Sequence, residues 1–154
     1  MKIILILFTV VVFISCTNKN TSTCYYSTEP PTLFFLIQRN NKKIADSILQ
    51  NTQLSYFENG TKKYITDIYN AIGDYANKGV LTSRTVGIQS SEKNTKTYYL
   101  EFPNGLPTDT LYIDYSAPSP SNNCRYILQS FKLNNKTVSI DTSFRFQPVY
   151  VLNH

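Results

Sequence analysis

Two kinds of hydrophobic segment occur along this chain. Residues 3–14 form an almost unbroken apolar run behind Lys2, whereas residues 32–154 carry short apolar stretches separated by polar turns. The first run is far shorter than the roughly 20 residues a bilayer-crossing helix needs. It ends at Ser15-Cys16 and gives way to polar residues 17–23, the form of a secretory leader rather than a membrane span. Beyond residue 31 the apolar positions mostly recur every second residue. Thr97, Tyr99 and Glu101 oppose Tyr98, Leu100 and Phe102, and Leu111, Ile113 and Tyr115 share a face, so both segments are predicted as half-buried strands. Residues 32–38, 53–57, 81–88, 124–133, 137–140 and 146–152 are predicted as further strands, with Pro148 favouring an edge or a strand start. Asn59-Gly60 between two such runs predicts a hairpin.

Two segments carry conflicting patterns. Residues 44–49 fit a short strand or one helical turn. Ile65, Ile68, Tyr69, Ile72 and Tyr75 recur at helical spacing, while Tyr64, Thr66 and Ile68 alternate; the alternation favours a strand to about Ile68, then a loop or short helix. Seven or eight strands over residues 32–154, with a turn every ten residues or so, predict an all-β fold, an Ig-like or transthyretin-like β-sandwich.

The ending Phe13-Ile14-Ser15-Cys16 resembles the lipobox of bacterial lipoproteins, with Phe13 where leucine is usual. The resemblance implies a signal peptide over residues 1–15, diacylglycerol and palmitate on Cys16, and a membrane partner through that anchor. Residues 16–31, rich in Asn, Thr and Ser and closed by Pro30-Pro31, then form a flexible tether. Removing the leader takes Lys2 with it, so the net charge of +5 falls by one. Cys24 and Cys124 remain, in an oxidising compartment. They either form a disulfide that staples the tether to the domain, or stay apart, Cys24 exposed and Cys124 a small buried hydrophobe.

The 109–114 stretch Asp-Thr-Leu-Tyr-Ile-Asp, a cysteine ten residues on, and Leu133-Asn134-Asn135-Lys136 resemble an uncharacterised family of small single-domain lipoproteins of Bacteroidota. The resemblance implies an outer-membrane lipoprotein without an assigned activity. Surface-exported members tend to carry acidic residues just after the lipid cysteine. Thr17-Asn18-Lys19-Asn20 lacks them, which favours the periplasmic face.

Catalytic chemistry is sparsely supplied. The single His is His154, and a terminal imidazole is a poor candidate for a positioned base. No nucleophile elbow, zinc spacing or phosphate loop occurs, so no enzyme activity, metal or cofactor is assigned. Asp109 and Asp114 are expected as solvated strand ends on opposite faces. Lys42-Lys43 and Lys62-Lys63 are scattered turn pairs without a basic stripe, so nucleic acid is not an expected partner despite a pI near 9.1. The expected function is a non-catalytic binding or structural module that meets a protein, peptide or glycan through loops at one end of the sandwich. Candidate positions are Asn104 and Leu106 in loop 103–108, and Asn122 and Asn123 in loop 117–123. The alternative is an accessory or inhibitor-like subunit pairing through an edge strand, with residues 34–37 as the suggested edge. Twelve Tyr and nine Phe without Trp are expected mainly as core rings with hydroxyls at the rim.

Overall fold

The computed structural model describes Cys24 and residues 29–154. The expected leader and the expected lipid cysteine, Cys16, lie outside the described residues. In chain order the elements are β1 (Leu33–Arg39), β2 (Lys42–Lys43), α1 (Asp46–Leu49), β3 (Gln53–Glu58), β4 (Thr61–Ile65), β5 (Tyr69–Asn70), α2 (Asp74–Asn77), β6 (Leu81–Ser83), α3 (Arg84–Glu92), β7 (Thr97–Glu101), β8 (Asp109–Ser116), β9 (Ile127–Leu133), β10 (Lys136–Thr137), β11 (Ser139–Asp141) and β12 (Val149–Asn153). They make an all-β sandwich of two sheets. Among the described residues seven strands have five or more residues, and the others are shorter, among them β6, which lies within the first sheet between β1 and β5.

The first sheet runs β11-β12-β1-β6-β5, with β2 also on β1; the second runs β10-β9-β8-β7-β3-β4. Leu33, Phe35 and Ile37 of β1 point between the sheets and join Leu54, Tyr98, Leu100, Leu111 and Ile113 of the second sheet in one core. Fully burying such a side chain contributes about 1.5–3 kcal/mol relative to leaving it exposed. Leu36 points the other way, into a second cluster with Val80, Val149 and Ala71. Burial on both faces is why β1 is continuously apolar rather than alternating.

The last strand, β12, pairs in parallel with β1, Phe35 opposite Tyr150 and Ile37 opposite Leu152, and Pro148 lies just before it. Residues 34–37 are therefore not a free edge: β12 and β6 flank β1 on both sides. The unprotected edge that would have favoured the alternative is not found there, because the chain returns from more than a hundred residues away to cover it. The Asn59-Gly60 hairpin forms as expected, both residues at positive φ, and Asn134-Asn135 makes the same kind of turn between β9 and β10.

Residues 81–88 do not form one strand. β6 stops at Ser83, and α3 follows to Glu92. The Ser83 hydroxyl accepts from the Val86 amide, and the Asp67 carboxylate accepts from the Ser83 hydroxyl and from the Arg84 and Thr85 amides at 2.8–2.9 Å. Capping by a residue sixteen positions upstream overrides the local alternation. Gly87 is needed because a Cβ there would overlap the Pro31 carbonyl. With Asp67 engaged in this way, the strand before it ends at Ile65, and only the single turn of α2 follows β5.

Cys24 and Cys124 form a disulfide, with Cα atoms 5.5 Å apart. It joins the chain ahead of β1 to the segment between β8 and β9.

Candidate functional site

Alternation along the second sheet sends every other side chain away from the core. On neighbouring strands this outer face carries Tyr64 and Lys62 of β4, Ser55 and Phe57 of β3, Tyr99 and Glu101 of β7, Tyr112 and Asp114 of β8, and Lys132 of β9, as the pairings Ser55–Tyr64, Phe57–Lys62, Ser55–Tyr99, Thr97–Tyr112 and Tyr112–Lys132 require. Four aromatic rings thus form a band across four adjacent strands, about 14 Å from first to last at the usual strand spacing.

The rings and charges on this face contact one another. Phe57 and Tyr99 meet edge to face at 5.6 Å, Lys62 Nζ lies 5.2 Å from the Tyr64 ring, and Lys132 Nζ lies 5.8 Å from the Tyr112 ring. Lys62 pairs with Glu101 at 2.7 Å and Lys96 with Asp114 at 2.9 Å. Partial burial by itself would raise the Glu101 carboxyl, but hydrogen bonds from Lys62 and the Ser55 hydroxyl outweigh it and hold it below the usual carboxylate range. The same contacts raise Lys62 through Glu101 and Lys96 through Asp114. Phe57 and Tyr64 are 53% and 51% exposed. Beside them an open depression of about 510 Å³ is walled by Phe57, Tyr99, Thr97 and Lys96. The helix α3 leaves this face open, because it packs from inside: Val86 lies in the shared core, and the Ser90 hydroxyl donates to the Ile113 carbonyl.

A second polar cluster joins the two sheets. Asp109 is buried rather than a solvated strand end: one carboxylate oxygen lies 2.6 Å from His154 Nδ1, and the other accepts from Asn134 Nδ2 at 2.6 Å. His154 is positioned after all, by its backbone N–H donating to the Gln38 carbonyl and by Phe102, whose ring centroid is 4.6 Å away. The expectation failed because the extension of β12 along β1 carries the imidazole into a prepared socket. No hydroxyl or thiol hydrogen-bonds the imidazole among the described residues. The cluster therefore orients a ring without a nucleophile beside it and ties β12 to the start of β8. Asp114, by contrast, sits on the outer face with Lys96. Among the described residues no three His, Cys, Asp or Glu side chains converge as a metal site would require.

The loops singled out from sequence do not come together. Loop 103–108 precedes β8 and loop 117–123 follows it, so they lie at opposite ends of an eight-residue strand, roughly 25 Å apart, and not at one end of the sandwich. Leu106 packs on the main core. The Asn122 side chain accepts from the Ser119 amide and donates to the Ala117 carbonyl, holding its own loop closed. Asn104 and Asn123 are exposed and occupy positive-φ turn positions. The aromatic band was the missed feature, and its signal was present: in residues 97–101 Tyr99 shares parity with Thr97 and Glu101, an aromatic on the polar phase of a strand.

Neither a protein-family model, nor a curated protein, nor a solved structure matches the chain.

Proposed function

We propose that this protein is a non-catalytic envelope lipoprotein, anchored through Cys16 to the periplasmic face of the outer membrane, whose sandwich recognises its partner with the outer face of the second sheet. The observation that carries the recognition surface is the band of Tyr64, Phe57, Tyr99 and Tyr112, left open on a sheet whose other side carries the main core. Exposed contiguous aromatic surface is disfavoured in a monomer unless it binds something. A sheet face built on paired strands is also rigid before binding, so little ordering is lost when a partner docks.

The disulfide supports the anchored reading. Seven residues lie between Cys16 and Cys24, so the two reach at most about 28 Å apart over eight Cα steps when extended. Cys124 and loop 117–123 then face the membrane, loop 103–108 points away, and the aromatic face stands to the side, where a partner has access. Asp109 and His154 act in stability, as a clasp between sheets.

Two measurements test this. The full chain expressed in a Gram-negative host should partition into detergent and lose that behaviour on Cys16→Ser; a wild-type chain that stays aqueous would sink the anchor. The double variant Phe57→Ser/Tyr99→Ser should fold normally yet lose capture of envelope material. Undiminished capture would reject this face as the recognition surface.

A further inference from the structure

We propose that the outer face of the second sheet binds an uncharged oligosaccharide chain laid across β8, β7, β3 and β4; this rests on that face being the recognition surface. Three features of the face select that chemistry. The aromatic rings recur strand by strand, and a flat aromatic ring takes the apolar C–H face of a pyranose as it takes other apolar surface. Beside the rings stand two ion pairs, Lys62–Glu101 at 2.7 Å and Lys96–Asp114 at 2.9 Å, each placing a cationic donor beside an anionic acceptor. A sugar hydroxyl both donates and accepts, so neighbouring hydroxyls on one ring can bridge such a pair with charge-assisted bonds at both ends.

Charge separates this occupant from others. Lys62 and Lys96 are each matched by a carboxylate on the same face, and Lys132 over the Tyr112 ring has no carboxylate partner among the described residues, so a polyanion would meet Glu101 and Asp114 with a surplus of one lysine to hold it. A second copy of the chain, or a flat protein surface, would have to strip water from both ion pairs, a penalty that pairing alone does not repay. Because β3, β7 and β8 are each paired on both sides, an extended peptide could pair only along the outer edge of β4, where it would lengthen the sheet and not lie across the four rings. A glycan replaces that water with hydroxyls that donate and accept in the same way.

The test is titration calorimetry of the full chain with cellohexaose, maltohexaose, xylohexaose, mannohexaose and chitohexaose, with hexagalacturonate as the charged probe. At least one uncharged chain should bind, Tyr99→Ser and Tyr112→Ser should each weaken it by about tenfold or more, and Phe146→Ser should leave it unchanged. The substituted chains should be fully folded without urea and unfold in one cooperative urea transition, which separates lost contacts from lost fold. Tighter binding of hexagalacturonate, or no uptake of any uncharged chain at millimolar concentration, overturns the proposal. If that happens while capture of envelope material still depends on Phe57 and Tyr99, the ligand class falls and the recognition surface stands. If capture ignores those residues, both fall.

Discussion

The two sheets share one core and differ on their outer faces. Outside the first sheet, Leu36, Val80 and Val149 are buried because the chain covers them with its own rings: Phe34, Tyr75 and Phe144 pack over them, Tyr75 stacks on Phe144 at 4.9 Å, and Lys78 Nζ sits 4.4 Å from the Phe144 ring. Outside the second sheet the aromatic rings are the outermost layer, with lysines beside them rather than a lid above. The same residue types therefore do opposite work. On the first face they close an aliphatic patch and add stability; on the second they remain available.

The largest effect expected from this contrast is on stability. Leu36→Ala should lower the free energy of unfolding by about 2–4 kcal/mol, as buried leucine truncations do. Phe57→Ala, which removes a half-exposed ring and its edge contact to Tyr99, should lower it by about 1 kcal/mol or less. Urea midpoints measure both, and comparable losses would erase the distinction between the faces.

The polar clusters should divide the same way. Asp109→Ala leaves His154 and Asn134 without their acceptor at a buried junction between sheets, with an expected loss of about 1–3 kcal/mol. Glu101→Gln, on the open face, should lose less than about 1 kcal/mol near neutral pH. Equal losses by urea denaturation would mean that the open face is as structural as the clasp.

How far this division was legible in the sequence depends on the range of the interactions that create it. The hairpin at Asn59-Gly60 and the strands β7 and β8 were legible because period two and turn chemistry are local. Which phase of β7 faces the core was legible too, since Tyr98 and Leu100 outweigh Thr97 and Glu101. What covers each outer face was not, because Tyr75 meets Phe34, and Phe144 stacks on Tyr75, from distant parts of the chain. The same limit hid the helix α3, which depends on the Asp67 carboxylate, and the socket of His154, which depends on β12 finding β1. Loops 103–108 and 117–123 drew attention through their composition, yet the strand between them holds them apart.

Acid titration sharpens the comparison further. Glu101 has its folded-state ionisation held below the unfolded value, so its contribution is present above the ordinary carboxylate range and is lost as pH falls through the folded value. The difference in urea midpoint between wild type and Glu101→Gln should be greatest near neutral pH and shrink between about pH 5 and 3. A gap that widens on acidification would contradict the Lys62–Ser55–Glu101 arrangement.

The smallest expected effect is the most discriminating. Phe146 is 86% exposed, more than Phe57 or Tyr64, and lies beyond the lid of the first sheet, beside Phe144 and Lys78. If exposure alone made a recognition surface, Phe146 would matter more than Phe57 or Tyr64. It stands outside the four-strand band, and no ion pair among the described residues lies beside it, so a lone apolar side chain in water is all that is lost on removing it. Phe146→Ser should shift stability by no more than about 0.5 kcal/mol and leave capture of envelope material at the wild-type level, while Phe57→Ser/Tyr99→Ser abolishes it. Loss of capture in Phe146→Ser would move the recognition surface to the covered sheet and invert the assignment of the two faces.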